Sequence, residues 1–114
     1  MIYSLFCRKM CPILSTVSQI AKALSSTTEW ESSTIYCSPG YLPMYNNATG
    51  FSALPAGYYY GGGYSILGTE AWFWSTTDVG ENCACYRNIQ HDLANFQEAC
   101  ISNYVGLSVR CLKD

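Results

Sequence analysis

Asn46-Asn47-Ala48-Thr49-Gly50-Phe51-Ser52-Ala53-Leu54-Pro55-Ala56-Gly57-Tyr58 is the stretch on which the reading of this chain turns. With Tyr45, its first half has loop composition, because Asn and Gly tolerate the backbone angles that tight turns require. Phe51–Pro55 reads as a brief strand or extended segment stopped by proline, which cannot donate to a ladder. The stretch belongs to a region, starting beyond Trp30, where the texture changes to turns and short strands. Cys37-Ser38-Pro39-Gly40 is a second loop in that region.

Toward the N-terminus the pattern is helical. Ile13, Val17, Ile20 and Leu24 fall at i, i+4, i+7 and i+11, one apolar stripe on a short amphipathic helix. Pro12 suits its first turn, and Ser25-Ser26-Thr27-Thr28 is expected to fray its end. Arg8-Lys9, Met10–Ile20 and Ala21-Lys22-Ala23 imitate a signal peptide, but Ser15, Thr16, Ser18 and Gln19 make the middle too polar for its apolar region, and an apolar Ile2–Phe6 precedes the charges.

Toward the C-terminus the pattern is strand-like. Tyr58-Tyr59-Tyr60-Gly61-Gly62-Gly63-Tyr64 reads as a glycine-rich bend ringed by tyrosines. Ala71–Thr76 is a compact aromatic strand, in which Trp72 and Trp74 alternate about Phe73 so that one face is expected to be buried, and Cys85–Ile89 is a second strand. Val105, Leu107, Val109 and Cys111 alternate with Gly106, Ser108 and Arg110, a period of two that predicts a closing strand over Val105–Leu112. One helix followed by several short strands is an α+β pattern.

Composition narrows the function. The 114 residues make one domain, and a net charge of −2 argues against electrostatic capture of nucleic acid or anionic lipid. No run approaches the roughly 18 apolar residues of a membrane span. The chain holds ten tyrosines and seven cysteines, an odd number that leaves at least one thiol unpaired in any full set of bridges. Cys83, Cys85, His91 and Cys100 supply four possible zinc ligands, but without the paired Cys-x-x-Cys knuckles of a structural site. We therefore expect no metal and no cofactor.

Catalytic signatures are thin. Gly61–Gly63 is followed by Tyr64-Ser65-Ile66-Leu67, with neither the lysine nor the helix of a phosphate loop. His91 is the sole histidine, Asp92 adjoins it, and no serine elbow accompanies them. Asp78 and Glu81 read as a solvated turn, and Asn47-Ala48-Thr49 is a glycosylation sequon.

Four ordered motifs nevertheless carry a resemblance. The opening stretch Asn46–Tyr58, Phe73-Trp74-Ser75-Thr76-Thr77-Asp78, Ala84-Cys85-Tyr86-Arg87 and the closing Gly106-Leu107-Ser108-Val109-Arg110-Cys111-Leu112-Lys113-Asp114 resemble the Fibrobacter succinogenes major paralogous domain. Ala21-Lys22-Ala23-Leu24 followed by Trp30 matches what that family places before its loop, and the resemblance makes Trp74, as part of the family's motif, the better core candidate on its strand. The resemblance spans residues 20–114 and leaves 1–19, with the start of the helix, as a non-matching segment. It implies an incomplete C-type-lectin-like fold: one N-terminal helix, then short antiparallel strands and long loops. The same fold serves formylglycine-generating enzymes and the variable proteins of diversity-generating retroelements. Family members are typically secreted or cell-surface proteins of Bacteroidetes and Fibrobacteres, with no established activity.

The family's opening strand, first helix and Cys-Pro-x-Gly-Trp-His-Leu-Pro segment are absent, Cys11-Pro12 matching only the start of that segment. The resemblance therefore implies a domain truncated at its N-terminus. Val105–Leu112 would lose its strand neighbour unless Ile2–Phe6 replaces it, and Cys111 would lose a disulfide partner. A bare strand edge predicts self-association.

The function expected on this basis is a non-enzymatic ligand-binding or adhesion module for a protein or glycan. Tyrosine offers large contact area, a polar tip and few rotors, so Tyr58, Tyr59, Tyr60 and Tyr64 are binding candidates. Asn88, His91, Asp92, Asn103 and Tyr104 join them, because segment 83–105 is rich in residues that adenine-directed mutagenesis of AAY codons reaches. Gln90 of the same segment, which that mutagenesis does not reach, joins them as well. That composition reads either as a diversified binding face or as ordinary drift in an exposed loop. The Glu-Pro-Asn and Trp-Asn-Asp motifs of calcium-dependent lectins are missing, which argues against calcium. The alternatives are a cysteine-dependent relative of the formylglycine-generating enzymes, using Cys83 and Cys85, and a non-functional truncated paralogue.

Overall fold

The computed structural model describes residues 20–78, 83–102 and 104–111. Its elements are a helix α1 (Ile20–Leu24), a short 3-10 turn (Pro43–Tyr45) and five strands. These are β1 (Tyr58–Tyr60), β2 (Gly63–Ser65), β3 (Glu70–Asp78), β4 (Cys83–Gln90) and β5 (Gln97–Ser102). β1 and β2 form an antiparallel hairpin, while β3, β4 and β5 form an antiparallel meander in that order. The mixed α+β character expected from the sequence is therefore present. The part of the helical stripe before Ile20, the Ile2–Phe6 segment, Glu81 and Asn103 lie outside the described residues. No helix among the described residues is long and apolar enough to cross a membrane.

The loop that decided the reading of the sequence closes the end of α1. A helix leaves its last four carbonyls without intrahelical partners, and here each of Ala21, Lys22, Ala23 and Leu24 finds one. Ser25 Oγ donates to Ala21 O at 2.7 Å. The Asn47 amide donates to Lys22 O at 3.1 Å, the Thr49 amide to Ala23 O at 3.1 Å, and the Ala53 amide to Leu24 O at 2.8 Å. Thr49 Oγ1 adds a second bond to Ala23 O at 2.8 Å. Asn47 turns the chain with φ 73°, a left-handed angle that Asn tolerates. Its amide bridges to Ser52, accepting from the backbone at 2.7 Å and donating to Oγ at 2.6 Å.

This clamp corrects two expectations for the helix. Ser25 and Ser26 are buried rather than frayed, because Ser25 bridges Ala53 and the Ser26 amide donates to Ala53 O at 2.9 Å. The residues that α1 buries are Ala21, Lys22 and Ala23, while Ile20 and Leu24 of the apolar stripe stay half-buried. Two small alanines allow the capping loop to approach the helix backbone closely.

The core joins Ala21 and Trp30 to Ala53, Ala71 and Ile89, with Leu24, Phe51, Phe73 and Phe96 packed against it. Each large apolar side chain fully buried in such a core stabilises the fold by roughly 1.5–3 kcal/mol. The core tryptophan is Trp30. Trp74, expected there, is half-buried, because alternation along β3 gives the core face to Ala71 and Phe73.

The closing strand expected over Val105–Leu112 does not form as a regular strand among its described residues. That segment makes isolated bridges at Gly106 with Tyr59 and at Ser108 with Phe73. Only Val105 of the alternating set is buried; Val109 and Cys111 are exposed. The ladder is interrupted beside it, where the β3–β4 register shifts between Trp74 and Asp78. Gly106 and Ser108 are both bridged, so in the three-stranded sheet the edge without a described partner strand or bridge is that of β5.

Candidate functional site

The hairpin that carries the tyrosines turns at Gly61-Gly62, with φ 62° and 86°. Positive φ at both central residues is the mirror-image turn that matches the twist of a two-residue hairpin, and glycine adopts it without steric cost. Its register pairs Tyr58 with Ser65, Tyr59 with Tyr64 and Tyr60 with Gly63. At the hairpin base, Gly57 has φ 63° and an added Cβ would lie 1.9 Å from Ser65 O, so only glycine fits there. The hairpin is tied to the rest of the chain through Tyr59 and Gly106, which exchange hydrogen bonds of 2.8 and 2.7 Å.

Tyr59 and Tyr64 meet edge to face, with ring centroids 4.9 Å apart. Tyr59 is 43%, Tyr60 63% and Tyr64 70% exposed, as is Tyr104, beyond β5, at 77%. A groove of about 260 Å³ runs beside Tyr59 and Tyr64, lined also by Tyr58 and Gly106–Ser108. Tyr58 turns inward instead, its ring 4.8 Å from Trp72.

Trp72 joins the hairpin to the outer face of the sheet. Tyr86 stacks on it at 4.4 Å with a 6° interplanar angle. Glu70 Oε1 accepts from Trp72 Nε1 at 2.8 Å and from Asn88 Nδ2 at 2.5 Å. Burial and the Glu70 charge raise the Tyr86 phenol above its ordinary pKa, since both disfavour the phenolate. Gln90 Nε2 donates to Asn88 Oδ1 at 3.4 Å and to Gln97 Oε1 at 3.1 Å, extending the amide chain to β5.

The sequence-derived binding set is therefore divided. Tyr59, Tyr60, Tyr64 and Tyr104 reach the surface, and Asp92 is exposed with them. Asn88 does not: at 3% exposure it is a structural amide that holds Glu70. Gln90 and His91 are half-buried. His91 is fixed by its backbone, donating to Thr69 O and accepting from the Gly40 amide, each at 2.8 Å. Its Nε2 lies 3.9 Å from Asp92 Oδ2, and its buried Nδ1 has no hydrogen-bond partner. Within segment 83–105, Cys85, Asn88, Ile89 and Val105 are buried, whereas β5 is largely exposed.

The cysteines are organised for structure. Cys85 and Cys100 face each other across β4 and β5 and form a disulfide. Cys37, fully buried, is also disulfide-bonded. Cys83 and Cys111 are free and exposed. Cys83 and Cys85 thus do not offer two thiols together, and among the described residues no three His, Cys, Asp or Glu side chains gather to hold a metal.

The polar centre that sequence reasoning missed is Lys22. It is 1% exposed, and its ammonium donates to the carbonyls of Ser38 at 3.3 Å, Tyr41, and Leu42 at 3.2 Å, and to Asn46 Oδ1 at 2.9 Å. Asn46 Nδ2 completes the knot with bonds to Ser26 O at 2.8 Å and Pro39 O at 3.0 Å.

No protein-family model, curated protein or solved structure matches this chain.

Proposed function

We propose that this chain is a non-enzymatic binding module that presents its tyrosine hairpin to a protein or glycan ligand. The observation that carries the reading is the exposure of Tyr59, Tyr60 and Tyr64 on a short hairpin pinned at Tyr59–Gly106, with Tyr104 exposed on the segment that leads to Gly106. Phenol rings give stacking faces for sugars and flat apolar area for proteins, and each hydroxyl both donates and accepts. Two ring torsions per tyrosine keep the ordering cost of binding low.

The motif resemblance supports a C-type-lectin-like fold and a secreted or surface location. Disulfide bonding at Cys85–Cys100 and at Cys37 is in keeping with export, since such bonds persist in oxidising compartments. The bonded state of Cys85 counts against the alternative of a catalytic cysteine pair with Cys83.

The test is a glycan array and a displayed-peptide library, each probed with the labelled chain and with a Tyr60→Ala/Tyr64→Ala/Tyr104→Ala variant. The reading expects specific signals on one of the two, weakened at least tenfold in the variant. Silence on both, or signals indifferent to the substitutions, overturns it.

A further inference from the structure

The inner face of the β3–β4–β5 sheet is covered unevenly. At one end Ala71 and Ile89 pack into the core with Ala21 and Ala53. Further along, a cleft of about 310 Å³ opens, walled by Phe51, Phe73, Trp74 and Phe96 and flanked by Arg87 and Arg110. It involves none of the hairpin tyrosines and does not rest on the reading above.

Two cations in an aromatic cleft call for an explanation. Arg87 stands directly opposite Phe73 in the β3–β4 register, so β-pairing itself brings a guanidinium to the apolar wall. Its Nη1 is buried and lies 3.3 Å from Glu98 Oε2, yet makes no hydrogen bond. Arg110 sits 4.4 Å over the Phe51 ring and donates Nη1 to Phe51 O at 2.8 Å. A guanidinium carries five donors in a rigid fork that matches a carboxylate, and this bond uses one of them. Glu98 is the acid at Arg87, and its side chain is 59% exposed, so a ligand can compete for that guanidinium.

The geometry points to a binding site for a small anionic amphiphile, a carboxylate with a flat apolar body. The body displaces water from the aromatic walls, and the carboxylate meets the two arginines. The volume lies at the lower end of the range for ligand pockets, about 300–1,000 Å³, which suits a fused bicyclic ring rather than a chain of sugars. A neutral body of the same shape keeps the apolar contacts but leaves the guanidiniums unmatched.

The test titrates the full chain with 2-naphthoate and with the neutral analogue 2-naphthalenemethanol, by calorimetry and by tryptophan fluorescence in a Trp30→Phe/Trp72→Phe background that leaves Trp74, which lines the cleft. Naphthoate is expected to bind at one site, at least tenfold more tightly than the alcohol. Arg87→Gln removes most of that preference, whereas Glu98→Gln tightens naphthoate severalfold by freeing Arg87, a gain that no structural damage produces. Arg110→Lys, checked for folding by circular dichroism, keeps the charge and retains part of the preference. Equal affinity for acid and alcohol, no binding of either, or naphthoate binding indifferent to Arg87→Gln and Glu98→Gln overturns the assignment.

Discussion

Around Lys22 the chain turns its polar groups inward, and at the Tyr58–Ser65 hairpin it turns aromatic rings outward. In the first region an ammonium, an asparagine amide and several backbone carbonyls are taken from water and matched with one another. In the second, Tyr60 and Tyr64 stand mostly in solvent. Burying unmatched polar groups is costly, so the first arrangement persists only while every member is present. Exposed rings contribute little to folding and are free to meet a partner. The two regions therefore respond to substitution in opposite ways.

The strongest break is expected at Lys22. Lys22→Met takes the ammonium from Asn46 Oδ1 and the Tyr41 carbonyl, while the Ser38 and Leu42 carbonyls keep the amides of Tyr41 and Tyr45. The expected loss is about 3 kcal/mol in urea denaturation, the scale of one or two buried groups deprived of a charged donor. Lys22→Arg is expected to rescue little, because a planar fork does not replace a compact ammonium. A loss below ~1 kcal/mol for Lys22→Met would remove the knot from the account.

The Cys85–Cys100 bridge comes next. It joins residues 15 apart in sequence, and closing a loop of that length is worth about 3 kcal/mol at most, less where the reduced chain keeps structure. Cys85→Ala/Cys100→Ala is expected to lower the denaturation midpoint and to reduce the effect of reductant on it, the remainder coming from the bridge at Cys37. The hairpin gives the contrast: Tyr60→Ala/Tyr64→Ala should change stability by no more than about 0.5 kcal/mol, while weakening the binding reported by the array.

The smallest effect is a titration. The Tyr86 phenol is raised by desolvation first and by Glu70 second. A raised acid favours its neutral form in the fold, so its stabilising contribution is complete below the ordinary tyrosine range. It is lost as pH rises through the higher folded value. Carbon-13 NMR of labelled tyrosine rings should find Tyr86 titrating above the ordinary tyrosine value. Glu70→Gln should move it part of the way back.

Much of the sheet was legible because its central strands are dense in aromatic and β-branched residues with tight spacing. Ala71–Thr76 and Cys85–Ile89 both lie inside observed strands. β5 was missed because Gln97-Glu98-Ala99 has weak strand propensity and the strand lies at an exposed edge. The terminal segment shows the converse: regular alternation predicts a strand, yet alternation does not supply a neighbour, and only Gly106 and Ser108 are bridged. Lys22, set between alanines, reads as an ordinary exposed helix position; its burial arises from loops that arrive from residues 38–46. Asn88 carried a usable signal, since the β-period places it with Tyr86 and Gln90, and register then brings that face to Trp72.

Amide hydrogen exchange on the full chain, read residue by residue, tests the division between a knotted scaffold and an outward hairpin most directly. The amides of Asn47, Thr49 and Ala53, which cap α1, should exchange only through global unfolding and slow together. Those of Gly61 and Gly62 at the hairpin turn should exchange with little protection. If the three capping amides exchange as fast as the turn, the clamp around α1 and Lys22 is not what holds this fold, and the account fails.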